Sequence, residues 1–199
     1  MPEPTRRERI RNLALTVIAV LCLVGTLAAM MYNASKMAAE DREGATDERV
    51  GQPAPDFTLR ALSDGSERAL SDAAGKVVLI DFWATFCGPC RRSMPELQQL
   101  WERYRDDDFV IYSVNVDQPA PQREDLVERY MTHNELTFDT LIDNGSTAWT
   151  YGAERIPMMY IVGRDGTIRR VFRGYTDPRV VERAVTEALA ESNALSPGS

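Results

Sequence analysis

The chain has 199 residues, of which 44% are hydrophobic and 27% are charged, a balance typical of a globular protein. A formal net charge of −7 argues against nucleic-acid binding, because contacts with phosphate groups need a basic surface. Three cysteines are too few for a scaffold held together by disulfides.

A long uncharged segment near the N-terminus, residues 13–32, predicts a transmembrane anchor. A helix of that length covers about 30 Å, the thickness of the hydrocarbon core of a bilayer. The basic residues 1–12 include four arginines, so the positive-inside rule places this end in the cytoplasm. We therefore expect a single-pass protein of a bacterial inner (cell) membrane, with its folded domain facing the periplasm or the cell exterior.

Two alternatives to an uncleaved anchor concern the same segment. One is a cleaved signal peptide, whose apolar region usually has about 7–15 residues; pairs of alanines at 28–29 and 38–39 offer places for cleavage. The other is a lipid on Cys22, disfavoured because Leu21 is bulkier than the small residue usual before a lipid-bearing cysteine. Without a lipid, Cys22 is simply an apolar residue of a membrane helix.

The polar residues 33–50 predict a linker, and residues 51–191 predict one folded domain followed by a flexible tail, 192–199. The domain strands are predicted from apolar runs and turn residues. They are a pair of short strands around Asp64-Gly65, a central strand at 76–84, a second strand at 109–116, and a hairpin over 158–172 that turns at Asp165-Gly166.

Apolar residues at helical spacing predict the helices between these strands. The helical segments are 91–106, 123–134, 146–153 with Gly152 at its end, and 177–192 with Asp177 as its cap and Pro178 in its first turn. This order indicates an α/β domain with a central mixed β-sheet and helices on both faces.

The motif CGPC lies where the central strand meets the following helix, and it raises the question of what Cys87 and Cys90 do. A zinc site needs about four ligands, whereas the only histidine, His133, is far away on another predicted helix, so no metal is expected. A structural disulfide would stabilise the fold only weakly, because closing so short a loop removes little entropy from the unfolded chain.

Redox chemistry explains more of the surroundings of the pair. The free N–H groups and the dipole at a helix N-terminus favour a thiolate at Cys87. Cys90 lies one turn further along, where it would be shielded and would react second. Gly88 and Pro89 between the cysteines fit a tight turn at the start of a helix.

"VLIDFWATFCGPC", followed by Pro95 and later by "RIPMMYIV", resembles thioredoxin-fold proteins. The segment "GQPAPDFTLRALSDGSERALSDAAGKVV", the N-terminal anchor and an additional helix and strand narrow the resemblance to the TlpA/ResA-like family of membrane-anchored thiol-disulfide oxidoreductases. It covers about residues 51–189. It implies a thioredoxin fold with an N-terminal β-hairpin extension and a helix–strand insert, and no cofactor beyond the redox-active disulfide Cys87–Cys90.

The resemblance implies that Cys87 is the attacking nucleophile and Cys90 the resolving cysteine. Asp81 matches a buried acid near the second cysteine and would take its proton, directly or through water; a hydrogen-bonded structural aspartate is the alternative. Pro157 matches the cis-proline of the family, and Ile156 before it would offer backbone groups to an extended substrate.

Trp83 and Phe86 would flank the site as apolar surface, or belong to the core or rim. Three residues depart from the family pattern, so the redox potential and the partner of the family do not carry over to this chain, whereas the cysteine mechanism does. Phe86 replaces a usual tryptophan, Ser93 replaces an acidic residue, and Met158-Met159 stand where threonine is common.

The resemblance implies a protein disulfide substrate, apocytochrome c among the candidates, and a membrane electron donor that reduces the cysteine pair again. A thiol peroxidase is one alternative, since peroxiredoxins share "APDFTL"; however, Thr85 lies two residues before Cys87, whereas their Pro-x-x-x-Thr-x-x-Cys motif requires three. The second alternative is a metallochaperone that binds Cu(I) through the same two thiols.

Overall fold

The computed structural model describes residues 6–193, in two units that meet between Ala39 and Glu40. Helix α1, Arg6–Ala45, contains an apolar stretch, Leu15–Ala39, that is long enough to cross a membrane by length and composition. The helix therefore includes the predicted anchor and continues through most of the predicted linker. The domain boundaries and the anchoring role stay predictions, and the predicted tail lies outside the described residues from position 194 onwards.

The second unit is built on one seven-stranded sheet. The strands are β1 (Thr58–Ala61), β2 (Glu67–Ala69), β3 (Val77–Trp83), β4 (Phe109–Asn115), β5 (Asp139–Ile142), β6 (Met158–Val162) and β7 (Ile168–Arg173). The other helices are α2 (Gly88–Tyr104), α3 (Arg123–His133), α4 (Thr147–Thr150) and α5 (Pro178–Asn193), with a short 3-10 helix at Leu70–Ala73.

The strand order is β2-β1-β5-β4-β3-β6-β7. Strand β3 is buried at every position, which explains why all its residues except Asp81 are apolar. It pairs in parallel with β4, and β4 pairs in parallel with β5, whereas β6, β7, β1 and β2 pair antiparallel. The carboxyl ends of the three parallel strands meet at one edge of the sheet, and the loops that follow them gather there.

The two faces of the sheet bury different residues. Val78, Ile80 and Phe82 of β3 belong to an apolar core with the N-terminal hairpin and Tyr151. The alternate positions, including Asp81 and Trp83, face the other side. Helices α2 and α3 cover that side, as the ring contacts Trp101–Phe109 and Tyr130–Trp83 show.

The structure confirms the predicted thioredoxin fold, with the hairpin β1–β2 as its extension and α3–β5 as its insert. Helix α2 begins at Gly88 with Cys87 as its N-cap, as the placement of Cys87 at the helix N-terminus predicts; apolar spacing alone indicated residue 91, because the cysteines and Pro89 form the first turn. The predicted extent of α4 was too long. Helix α4 is a single turn that ends at Thr150, and the chain reverses at Gly152, whose φ is +62°.

Candidate active site

Cys87 and Cys90 form a disulfide at the N-terminus of α2, with their Cα atoms 5.3 Å apart. Cys87 is the N-cap residue of the helix, and its Sγ accepts a hydrogen bond of 3.2 Å from the backbone N–H of Cys90. The same N–H is one of the free donors that every helix N-terminus presents. In the reduced state the N–H of Cys90 would donate to the thiolate of Cys87 and stabilise it, as the position of Cys87 at a helix N-terminus predicts.

The two cysteines differ in exposure. Cys87 is 7% exposed, whereas Cys90 is completely buried beneath the first turn of α2. Gly88 and Pro89 between them are exposed and form this turn, as predicted. Of the two cysteines, only Cys87 retains any exposed surface at which an incoming molecule could approach.

The two aromatic residues predicted to flank the site lie in different environments. Phe86 is 75% exposed directly before Cys87, so it offers apolar surface next to the reactive sulfur. Trp83 is completely buried, so of the two alternatives stated for it the structure supports a core residue and not apolar surface. Its indole packs on Tyr130 of α3, with 5.2 Å between the ring centroids, because β3 alternates and this position points towards the insert helix.

Asp81 lies in the middle of β3, on the face that α2 covers, and its side chain is completely buried. Neither carboxyl oxygen has a hydrogen-bond partner. Burial alone raises the pKa of Asp81 from its ordinary value of 3.8 to about 7. A carboxyl group with this pKa exchanges a proton readily near neutral pH, as a general base must.

The Ile156–Pro157 peptide bond is cis, as the resemblance implies. Pro157 is buried, and its carbonyl accepts a hydrogen bond of 2.8 Å from the N–H of Gly174. Ile156 is half-buried against the apolar core. The proline directly precedes β6, which pairs with the edge of β3 opposite to β4.

Sequence reasoning missed a set of polar residues that supports the loop before Cys87. The carboxylate of Asp117 accepts hydrogen bonds from the backbone N–H of Thr85, at 3.1 and 3.2 Å, and from the side-chain amide of Asn115, at 3.0 Å. Asn115 and Asp117 follow the apolar part of β4, and both are buried. Their position at the carboxyl end of a strand parallel to β3 was the available signal.

Arg123, at the start of α3, completes this support. It donates hydrogen bonds to the carbonyl and the side-chain oxygen of Asn115 and to the carbonyl of Asp143. Its side chain is 8% exposed, and burial lowers the pKa of the guanidinium. The insert helix is thus joined through the end of β4 to the loop that carries the cysteines.

His133 lies exposed on the last turn of α3, and we assign it no role. Within residues 6–193, no group of three or more His, Cys, Asp or Glu side chains is arranged to hold a metal ion.

Comparison with known proteins identifies the family. The sequence model of the AhpC/TSA family matches residues 50–171. The thioredoxin-like protein YneN of Bacillus subtilis is 37% identical over 133 residues, which are 67% of this chain and 76% of YneN. The thiol-disulfide oxidoreductase ResA of Geobacillus thermodenitrificans is 35% identical over 126 residues, covering 63% of this chain and 70% of ResA. The chain belongs to the TlpA/ResA-like family of thiol-disulfide oxidoreductases.

Solved structures agree with this membership. A candidate thiol:disulfide interchange protein DsbE from Chlorobium tepidum superimposes with a TM-score of 0.64 and is 30% identical, over 70% of this chain and 97% of that protein. StoA from Bacillus subtilis, at 22% identity and a TM-score of 0.57, shows the same fold. This TlpA/ResA-like protein is therefore a thiol-disulfide oxidoreductase, and the pair Cys87–Cys90 fits its redox-active disulfide.

Proposed function

We propose that this protein reduces disulfides of other proteins outside the cytoplasm, with Cys87 as the nucleophile and Cys90 as the resolving residue. The observation that carries the proposal is the unequal exposure of the two bonded cysteines at one helix N-terminus, 7% for Cys87 and 0% for Cys90. A substrate disulfide can approach Cys87, whereas Cys90 can react only with its neighbour. This order of events is what a two-step exchange requires.

The reaction begins with both cysteines reduced. The thiolate of Cys87 attacks one sulfur of the substrate disulfide, that S–S bond breaks, and the departing substrate sulfur takes up a proton. A mixed disulfide between Cys87 and the substrate results. Cys90 then loses its proton and attacks Cys87, which forms the intramolecular disulfide and releases the second substrate sulfur. The substrate gains two electrons, and the cysteine pair loses them.

Asp81 accepts the proton of Cys90 in the second step of this proposal. The cysteine is buried, and the carboxyl group lies on the strand below its helix, on the face that the helix covers. A base with a pKa of about 7 can take this proton and release it again at neutral pH.

The substrate chain would lie across the loop that ends in the cis-proline. Ile156 offers its backbone groups to an extended segment there, as the family resemblance implies, and Phe86 offers an exposed apolar contact next to the reactive sulfur. A segment with an apolar residue next to its half-cystine fits these two features best.

The surroundings of the reaction follow from helix α1 and from the family. The apolar stretch Leu15–Ala39 would hold the domain at the outer surface of the cell membrane, next to a membrane donor that reduces the cysteine pair again. Apocytochrome c, whose two cysteines must be reduced before haem attachment, is the substrate we propose on the family analogy.

The reduction potential tests the direction of electron flow. The full chain in detergent micelles is equilibrated against glutathione or dithiothreitol buffers, and the oxidised fraction is measured by alkylation and mass spectrometry. A potential near or below about −250 mV, in the range of thioredoxin, is expected for a reductase. A potential near about −120 mV would identify a disulfide-forming oxidant and would contradict the proposal.

Two controls in the same preparation separate the other uses of a thiol pair. A Cys90→Ser variant that turns over hydrogen peroxide at a substantial rate would indicate a peroxidase. Tight Cu(I) binding combined with poor disulfide reduction would indicate a metallochaperone. We expect neither result.

A further inference from the structure

Three polar side chains lie side by side across the centre of the sheet. Asp81 on β3 is in register with Ser113 on β4, and Ser113 is in register with Thr140 on β5. Side chains in register on parallel strands share a face, so all three lie beneath α2 and α3. Asp81 and Ser113 are completely buried, and Thr140 is 4% exposed.

The side-chain oxygens of this row have no hydrogen-bond partner. Leaving a buried polar group unsatisfied costs about 1–3 kcal/mol, and most such groups in proteins bind other residues or ordered water. Neighbouring strands are about 4.8 Å apart, a separation that one water molecule can bridge with two hydrogen bonds of about 2.8 Å each. Polar lining on both sides favours water over an empty gap.

The outer end of the row reaches the surface. Thr140 lines an open cavity of about 280 Å³ between α3, the start of β5 and the hairpin loop. Ser63, Thr132 and Thr137 also line it, so hydroxyl groups from three separate segments meet there. Thr140 is therefore the member of the row through which a proton would reach solvent in this cavity, although its Oγ1 is itself buried.

We propose that Ser113 and Thr140, bridged by water, relay protons between the buried Asp81 and solvent in this cavity. The inference rests on the proposed role of Asp81 as base. Each resolution step moves one proton from the Cys90 thiol to the Asp81 carboxylate. The proton then leaves through the two hydroxyls, and the carboxylate is restored for the next cycle. Ser113 and Thr140 act through Asp81 and do not touch the disulfide.

The other elements packed around Asp81 offer no competing charge. Strand β6 places Met159 in register with it, and α2 contributes the buried Cys90. On α3 the titratable group seen to pack against this face of β3 is Tyr130, which contacts Trp83 and whose pKa burial raises. The side chains of α5 that are described as buried are all apolar, namely Val180, Val181, Ala184, Val185 and Ala188. Burial alone perturbs Asp81, without a charged partner.

Two substitutions at Thr140 separate the hydroxyl from the packing. Thr140→Val keeps the shape and removes the hydroxyl, whereas Thr140→Ser keeps the hydroxyl and removes a methyl group. In the full chain in detergent micelles, Cys87 is loaded with thionitrobenzoate, and its release by Cys90 is followed by stopped-flow absorbance from pH 5 to pH 9. Ser113→Ala and Asp81→Asn are measured in the same way.

We expect Thr140→Val and Ser113→Ala to slow the release about tenfold near pH 7, with a larger solvent deuterium isotope effect, because general acid–base transfer contributes a factor of about one hundred or more. Thr140→Ser should remain within about twofold of the wild-type rate. Equal slowing by Thr140→Val and Thr140→Ser would overturn the relay, because a packing defect would then explain both. Wild-type rates and isotope effects in Thr140→Val and Ser113→Ala would overturn it as well.

A carbon-13 titration of the Asp81 carboxyl group gives a readout that does not depend on activity. Ser113→Ala should raise the pKa of Asp81, because the carboxylate loses its bridged hydroxyl. If thionitrobenzoate release in Asp81→Asn occurs at the wild-type rate, the proposed role of Asp81 as base fails. The Asp81 titration in Ser113→Ala then remains as the test of whether water connects Asp81 to Ser113. An unchanged titration curve in Ser113→Ala would then overturn the relay too.

Discussion

Replacing Asp81 with asparagine should remove a pH dependence of stability that the wild-type chain carries. Burial raises the pKa of Asp81 from 3.8 to about 7 in the folded state. Between these values the unfolded chain has released the proton and the folded chain has not, so rising pH favours unfolding. One pKa step corresponds to about 1.4 kcal/mol, so the wild type should lose about 4 kcal/mol between pH 4 and pH 8 relative to Asp81→Asn.

Urea unfolding followed by tryptophan fluorescence measures this difference. The three tryptophans, Trp83, Trp101 and Trp149, all lie outside α1, so the signal reports the C-terminal unit even in the full chain. Asp81→Asn should be more stable than the wild type at pH 8 and of similar stability at pH 4. A difference in unfolding free energy that stays constant from pH 4 to pH 8 would refute the reasoning.

Asp165→Asn is the matched control. Although burial acts to raise its pKa, hydrogen bonds from Thr167 and Arg169 hold the pKa of Asp165 at about 2. A carboxyl group with a lowered pKa stabilises the fold above its unfolded value of 3.8 and loses that contribution as the pH falls towards 2. The difference between Asp165→Asn and the wild type should therefore be constant from pH 5 to pH 8.

Three further predictions test the site. Cys90→Ser should accumulate a mixed disulfide between Cys87 and a protein substrate on non-reducing gels, and Cys87→Ser should not; the opposite pattern would exchange the two roles. Asp117→Ala should lower the unfolding free energy by about 1–3 kcal/mol in urea, because the N–H of Thr85 loses its acceptor; no loss would show that water replaces the carboxylate. Phe86→Ser should change stability by less than about 0.5 kcal/mol but raise the KM for a protein disulfide and not for a small one; equal effects on both substrates would remove Phe86 from the docking surface.

Much of the fold could be predicted because its signals are local. The apolar run of β3, the turn at Asp64-Gly65 and the spacing of apolar residues in the helices each depend on neighbours in the chain. Helix starts were harder, since the start of α2 is set by Cys87 as N-cap and not by apolar spacing. The reactive pair could be identified as well, because both cysteines lie within one four-residue motif, CGPC.

The residues around the pair could not be predicted, because their roles depend on packing between distant segments. Trp83 belongs to a strand next to the motif, yet the helix that covers it, α3, lies some forty residues later in the chain. Arg123 looks like an ordinary charged residue of a helix until the fold brings it against the carbonyls of Asn115 and Asp143. Ser113 and Thr140 become a row with Asp81 only through strand register.

The insert, α3–β5, is connected to the active site in two places, so it is more than an extension of the surface. Its helix supplies Arg123, which holds the end of β4, and from there Asp117 holds the N–H of Thr85 before the cysteines. Its strand supplies Thr140, the outer member of the polar row that starts at Asp81. A change in the insert would therefore alter both the position of the reactive loop and the proton path proposed for its base. Relatives that differ in this segment should accordingly differ in the pH dependence of disulfide exchange, even where the CGPC motif is the same.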